Sequence, residues 1–347
     1  GSERWNDTKA AGMLSRIIQS LSQKNLKYHS VIVDSRQWEP NTIPDGWIWQ
    51  DIGNYYGAGA AKLNWRENQY DLLLQSGNNV GDPVHIARTN PKLFGYSFHS
   101  TATSAAAGTG DNAYIYFPLK DSNGIIAGTI PVREKGFGIS GAFPSGDKQF
   151  VEELKERMRD TGIMAEATSA NDLAGQPNLK PDDYSIIHTE TSPSLDSIIY
   201  WFNKKSINLY GEALLKTMAI EKKGYAATDS GVNVVKDFWK QNGIDPLELN
   251  IVDGSGLSPL NRVTTHAQVA VLHYAQNQSW FKAFYNSLPE YNGMKMKSGM
   301  IKDVKGFAGY HTAADGTTYV FSFLVNNYNG APSSLIRKMY AVLNMLK

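Results

Sequence analysis

Between Thr8 and Lys24, Met13, Leu14, Ile17, Ile18 and Leu21 recur at the three-to-four-residue interval of an amphipathic helix, with Asp7 ahead of them as a cap. Ser30-Val-Ile-Val-Asp34 predicts a strand after it. From Trp38 to Gly141 the pattern changes to short apolar runs, Tyr70–Leu74, Tyr114–Leu119 and Ile125–Val132, set among Gly, Asn and aromatic residues. This middle reads as mostly β with long loops. Within it, Gly46-Trp-Ile-Trp-Gln-Asp51 and Asn54-Tyr-Tyr-Gly-Ala-Gly59 form either a packed corner or a binding surface, and clustered aromatics favour packing. An amphipathic helix near Lys148–Thr161 follows. The Asn-, Asp-, Pro- and Gly-rich stretch Thr168–Asp183 then places a domain boundary near residue 186.

Beyond that boundary the periodicity is first helical. Leu195, Ile198, Ile199 and Phe202 mark one helix, Ser206–Ile220 a second and Gly231–Gln241 a third. After a helix near Thr265–Gln276 the text alternates, predicting strands at Lys295–Met300, Phe307–Ala313 and Thr318–Asn326, with a hairpin turn at Asp315-Gly316. A last amphipathic helix spans Ser334–Leu346.

Composition removes several function classes. With 347 residues there is room for two or three domains, because single domains cluster near ~100–150 residues. With 34 basic and 33 acidic residues there is no basic face for nucleic acid, which is not an expected partner. The absence of cysteine excludes disulfides, thiolate metal sites and cysteine nucleophiles, and is compatible with an oxidising compartment. No run approaches the ~20 apolar residues of a transmembrane segment, and no signal peptide opens the chain. The seven histidines form no metal-binding motif; His266 and His273 share one helix face and read as structural. Gly108-Thr-Gly110, with no strand before it, reads as a turn and not a dinucleotide loop. No cofactor or metal is expected.

Two short motifs remain that carry chemistry. Of three Ser-x-Asn triplets, Ser76-Gly-Asn78 and Ser169-Ala-Asn171 sit in turn-like text, and only Ser206-Ile-Asn208 stands between two helices. There a hydroxyl to pass a proton and an amide to hold a peptide group can face one cleft; the competing role for Ser206 is a helix N-cap. Lys297-Ser298-Gly299 lies on an alternating strand. Its ammonium attracts a substrate carboxylate, its hydroxyl hydrogen-bonds that carboxylate, and glycine lets a substrate backbone approach the edge. Alternation puts Lys295, Lys297 and Gly299 on one face and Met294, Met296, Ser298 and Met300 on the other.

The order and surroundings of these motifs resemble the class C penicillin-binding proteins, the serine D-alanyl-D-alanine carboxypeptidases and endopeptidases. The resemblance rests on Lys204-Lys-Ser-Ile-Asn-Leu-Tyr-Gly-Glu-Ala-Leu-Leu-Lys216, Asp253-Gly-Ser-Gly-Leu-Ser258, Lys297-Ser-Gly299 with Gly306-Phe-Ala-Gly-Tyr310, and Phe321-Ser-Phe-Leu-Val-Asn-Asn327. Gly46-Trp-Ile-Trp-Gln-Asp51 is similar to text in the family's inserted domains. The resemblance implies an α+β penicilloyl-serine transferase fold, an antiparallel sheet flanked by helices. Residues 186–347 would then be the C-terminal part of the transpeptidase-like catalytic domain and residues 1–185 the mostly-β inserted accessory domains. It implies Ser206, Asn208 and Lys297 as catalytic residues, with Ser206 the proton relay, Asn208 the substrate-amide ligand and Lys297 sharing carboxylate binding with Ser298. Gly299 and the backbone N–H of Met300, an oxyanion donor, complete the substrate site.

By the same resemblance, the substrate is the D-Ala-D-Ala end or a D-amino-acid cross-link of peptidoglycan stem peptides. β-Lactams would acylate the same serine, and the protein would be exported to the periplasm or cell envelope. Carboxypeptidase and endopeptidase chemistry both fit. Two departures stand out. Where the family usually has Thr and then a second hydroxyl residue, this chain has Ser298 and Met300, so carboxylate recognition is expected to be altered. Of the two Ser-x-x-Lys matches, Ser145-Gly-Asp-Lys148 reads as a helix cap, and Ser279-Trp-Phe-Lys282 follows Ser206 out of order. The nucleophile is therefore expected upstream of Gly1, with an apolar face of the last helix left bare. The alternative is a non-catalytic homologue or fragment that binds peptidoglycan or a protein partner.

Overall fold

The computed structural model describes residues 7–24, 31–118, 121–163 and 185–347. The chain forms two compact units, one of Gly1–Ile43 and Trp47–Ser192, the other of Pro44–Gly46 and Pro193–Lys347. The first unit contains α1 (Asp7–Gln23), α2 (Trp49–Ile52), β1 (Gln69–Gln75), β2 (His85–Asn90), β3 (Ser97–Ser100), β4 (Thr103–Ala105), β5 (Asn112–Tyr116), β6 (Asn123–Pro131), β7 (Phe137–Ala142) and α3 (Gly146–Asp160). Alternation sends Tyr70, Leu72 and Leu74 of β1 inward, where they join Ile115, Ile126 and Ile130 in one core. β1 is the middle strand of the antiparallel sheet β2-β1-β7, while β6 pairs parallel with β3 and β4 and antiparallel with β5. A second cluster joins Leu14 and Ile18 of α1 to Trp65 and to Leu154 and Met158 of α3.

Local expectations fail here in two places. Residues 31–34 form no strand; Val31 packs against the cluster of α1 and α3 instead, and β propensity without a ladder partner does not make a strand. A three-residue strand, β4, does precede Gly108, but a strand and not a helix follows, so no dinucleotide loop forms. The aromatic corner divides: Trp47 is buried, whereas Trp49 is half exposed against Tyr116, ring centroids 6.1 Å apart. The Asn/Pro/Gly-rich segment 168–183, with Ser169-Ala-Asn171 inside it, lies outside the described residues.

The second unit contains α4 (Leu195–Lys205), α5 (Asn208–Lys223), α6 (Thr228–Gln241), β8 (Leu249–Asn250), β9 (Arg262–Val263), α7 (Thr265–Gln276), α8 (Phe281–Ser287), β10 (Glu290–Tyr291), β11 (Met294–Ile301), β12 (Val304–Thr312), β13 (Thr318–Asn326) and α9 (Pro332–Leu343). β10 to β13 make an antiparallel sheet in sequence order. Met294, Met296, Phe307 and Phe321 bury one sheet face under Met339 and Leu343 of α9, each fully buried side chain contributing about 1.5–3 kcal/mol. Tyr310 leads the other face, packing on Phe281 and Tyr285 of α8 and donating its hydroxyl hydrogen to Leu272 O of α7 at 2.8 Å. The sheet is thus covered by helices on both sides. α9 is only partly bare: its sheet-facing side is covered, and Val342, with Met345 in the turn just beyond the helix, is exposed. The β12–β13 turn is closed by Gly316 at φ +88° and by Asp315 Oδ1, which accepts from Thr317 N at 2.9 Å.

Candidate active site

Ser206 occupies the first of the two residues between α4 and α5, at φ 55° and ψ 48°, and Ile207, the second, fills the N-cap position of α5 without a side-chain cap. The N-cap role open to Ser206 on sequence is therefore not the one it has. Its left-handed backbone ends one helix sharply and leaves its hydroxyl exposed beside the start of the next, where Asn208 is the first residue. Two bonds to α8 and the residue beyond it fix the end of α4. Asn203 Nδ2 donates to Ser287 Oγ at 2.7 Å, and Lys204 Nζ donates to Leu288 O at 2.5 Å.

α5 is held from its second turn. Gly211 meets Gly254 so closely that a Cβ on Gly211 would lie 2.5 Å from Gly254 O, and the converse substitution 2.3 Å from Gly211 O. One residue on, the fully buried Glu212 accepts from Gly254 N at 3.0 Å and Ser255 N at 2.8 Å. The buried Asp253 organises the rest of that loop, accepting from Gly256 N and Ser258 N at 2.7 Å each and from Asn261 Nδ2 at 2.8 Å. Burial, and then the negative charge of Asp253, push the Glu212 carboxyl up to about 7. The Asp253-Gly-Ser-Gly-Leu-Ser258 motif thus acts as a clamp that orients the helix bearing Asn208.

The opposite wall is the outer edge of β11. Met296 N donates to Pro289 O at 3.1 Å on the side away from β12, and antiparallel alternation turns the N–H groups of Ser298 and Met300 to that same edge. β10 pairs only with Met294 and Lys295, so beyond them no described strand covers this edge. Gly299 and Met300 are exposed, and a Cβ on Gly299 would meet nothing within 4 Å. Lys297 Nζ crosses to α4 and α5, donating to Ser206 Oγ at 2.8 Å and to Ser298 O at 2.9 Å.

Sequence reasoning passed over Lys305. It lies on β12, 6% exposed, opposite Met300, and its Nζ donates to Ser298 Oγ at 2.5 Å while lying 4.8 Å from the centre of the Phe307 ring. Burial, and then the charge of Lys305, hold the Lys297 ammonium below the ordinary lysine range; burial does the same to Lys305. Among the described residues neither ammonium pairs with a carboxylate. The site therefore collects two cations, two hydroxyls and outward backbone donors, an array suited to an anionic substrate end and to a developing oxyanion.

Neither Ser-x-x-Lys match adds a nucleophile to this array. Ser145, in the first unit, caps α3, its Oγ accepting from Lys148 N at 3.1 Å. Ser279 sits in the turn between α7 and α8 with both its side chain and that of Lys282 exposed, unlike the buried pair that nucleophile activation by lysine requires.

Comparisons with known proteins accord with this geometry. The model of the D-Ala-D-Ala carboxypeptidase 3 (S13) family matches residues 9–290, a span that includes Ser206 and Asn208 and stops before β11. The D-alanyl-D-alanine carboxypeptidase DacB of Haemophilus influenzae is 24% identical over 343 residues, covering 92% of this chain and 69% of its own length. The D-alanyl-D-alanine carboxypeptidase of Actinomadura sp. (strain R39) is 25% identical over 270 residues, 70% of this chain and 48% of that protein. The chain thus spans about two thirds of one curated relative and about half of the other. The crystal structure of penicillin binding protein 4 (dacB) from Haemophilus influenzae superposes with a TM-score of 0.81 at 20% identity, over 97% of this chain and 79% of that one. The same protein complexed with a novel β-lactam gives 0.73 at 19% identity, over 97% and 78%. These superpositions establish the α+β fold, with its helix-flanked sheet and additional β-rich part.

Proposed function

Because the chain belongs to the D-Ala-D-Ala carboxypeptidase 3 (S13) family, we propose that it is part of a penicillin-binding serine hydrolase of peptidoglycan stem peptides that works through an acyl-enzyme. In this reading residues 186–347 are the C-terminal part of the catalytic domain, residues 1–185 are accessory, and the protein works in the cell envelope. Its substrates are the D-Ala-D-Ala end or a D-amino-acid cross-link, and β-lactams acylate the same serine.

The observation that carries the reading is the 2.8 Å bond from Lys297 Nζ to Ser206 Oγ. An ammonium only donates, so Ser206 Oγ must accept and its own hydrogen is free to leave. When a nucleophilic serine attacks the substrate carbonyl it gives up its hydroxyl proton; as the C–N bond breaks the departing amine takes the Ser206 proton, Lys297 reprotonates Ser206, and the proton lost by the nucleophile restores Lys297. Asn208 holds the substrate amide, Met300 N–H meets the oxyanion, and Lys297 and Ser298 bind the terminal carboxylate. A non-catalytic binding module has less support, since the family and both curated relatives carry carboxypeptidase names.

The intact protein should release D-alanine from a peptide ending in D-Ala-D-Ala. Ser206→Ala and Lys297→Ala should each lower kcat/KM by about 10²–10⁴-fold, the usual contribution of a positioned proton-transfer group. Absence of D-alanine release, from both this peptide and cross-linked stem peptides, would overturn the reading.

A further inference from the structure

We infer that Lys305 is a positioning residue for substrate carboxylate, acting through Ser298 and replacing the second hydroxyl that Met300 removes. The inference rests on the acyl-transfer reading of the site. Its basis is donor and acceptor arithmetic at one oxygen. Lys305 Nζ donates to Ser298 Oγ. Because an ammonium has no acceptor, that bond occupies a lone pair of the hydroxyl and leaves the Ser298 hydrogen to be donated elsewhere. The outer edge of β11 is open at this point, so an anion lying along it receives the Ser298 hydrogen.

Charge adds to orientation. Lys297 and Lys305 stand close enough for one to depress the proton affinity of the other, and among the described residues no carboxylate neutralises either. Placing two ammoniums at Ser298, one on its carbonyl oxygen and the other, from a residue only 6% exposed, on its hydroxyl, is costly for the empty protein. An incoming carboxylate relieves that cost, and the gain depends on the ligand being anionic. The hairpin register explains why strand β12 supplies the group: Ile301 pairs with Val304 and Met300 with Lys305, so the side chain of Lys305 lies on the same sheet face as Ser298. Met300, 60% exposed, offers only its backbone.

The test compares a D-Ala-D-Ala peptide as free acid with its C-terminal carboxamide, in turnover and in titration calorimetry. Lys305→Met keeps the apolar stem and should cut the preference for acid over amide about 10–100-fold, the size of one lost hydrogen bond to a charged group, mainly through KM. Lys305→Arg should restore most of it. In a Ser298→Ala background, Lys305→Met should change the preference less than about threefold, as expected when one residue acts through the other. An unchanged acid preference in Lys305→Met, or equal effects of the substitution with and without Ser298, would overturn the inference. A wild-type protein that turns over neither peptide counts against the acyl-transfer reading; calorimetry on the same pair of peptides then still decides the role of Lys305.

Discussion

Ser206 adopts the left-handed conformation at φ 55°, which costs a residue with a Cβ about 1–2 kcal/mol relative to its ordinary regions. The position accepts that cost because a right-handed residue there would continue α4 and carry the hydroxyl away from Lys297. Glycine removes the backbone penalty and alanine keeps it. Ser206→Gly should therefore be more stable than Ser206→Ala by about 1 kcal/mol in thermal unfolding, with turnover lowered alike in both. Equal melting of the two would contradict strain at this corner. Ser206, Lys297 and Ser298 were legible in the sequence because each belongs to a triplet whose spacing has a chemical reason. Lys305 was not, since a single lysine in an apolar strand carries no motif. Its only trace is a charge on the face that Phe307 sends into the core, visible once the register of the β11–β12 hairpin is known.

At the scale of elements, α5 is the part whose fixation matters most, and Glu212 fixes it. The Glu212 carboxyl titrates at about 7 in the folded protein against an ordinary 4.5. Below 4.5 it is protonated in both states and its contribution is complete. Between 4.5 and 7 the unfolded chain ionises and the folded one does not, so stability falls as pH rises, by up to roughly 3 kcal/mol once past 7. Glu212→Gln keeps an oxygen for the Gly254 and Ser255 N–H groups and has no proton to lose. The melting temperature of this variant relative to wild type should rise as pH goes from about 5 to about 8, and a difference independent of pH would contradict the account. Helix and strand periods located α4 to α7 and β11 to β13 well, because α5 to α7 and the three strands each carry buried positions and the apolar positions Ile198, Ile199 and Phe202 of α4 are half-buried. The strand expected at Ser30–Asp34 fails where it can be described because alternation records a preference for a pleated surface and says nothing about whether a neighbour supplies one. Glu212 and the 253–258 loop both lie in the motif stretches of the sequence, but their action as a clamp appears only where Gly211 and Gly254 touch.

Across the molecule, the second unit assembles Ser206, Asn208, Lys297, Ser298 and Lys305 from α4, α5, β11 and β12, and the first unit surrounds its own core of β strands. Among the described residues no helix is long and apolar enough to cross a membrane. The α+β architecture followed from the resemblance of short motifs more than from periodicity, which gave elements but not their pairing. The central claim is that these side chains serve acyl transfer to a serine. Mass spectrometry of the intact protein after exposure to a β-lactam tests it most directly. The account predicts one covalent adduct per chain, heavier by the mass of the opened β-lactam, forming at least about 10²-fold more slowly in Ser206→Ala and Lys297→Ala. No adduct on the intact protein, or one whose rate ignores both substitutions, would contradict it.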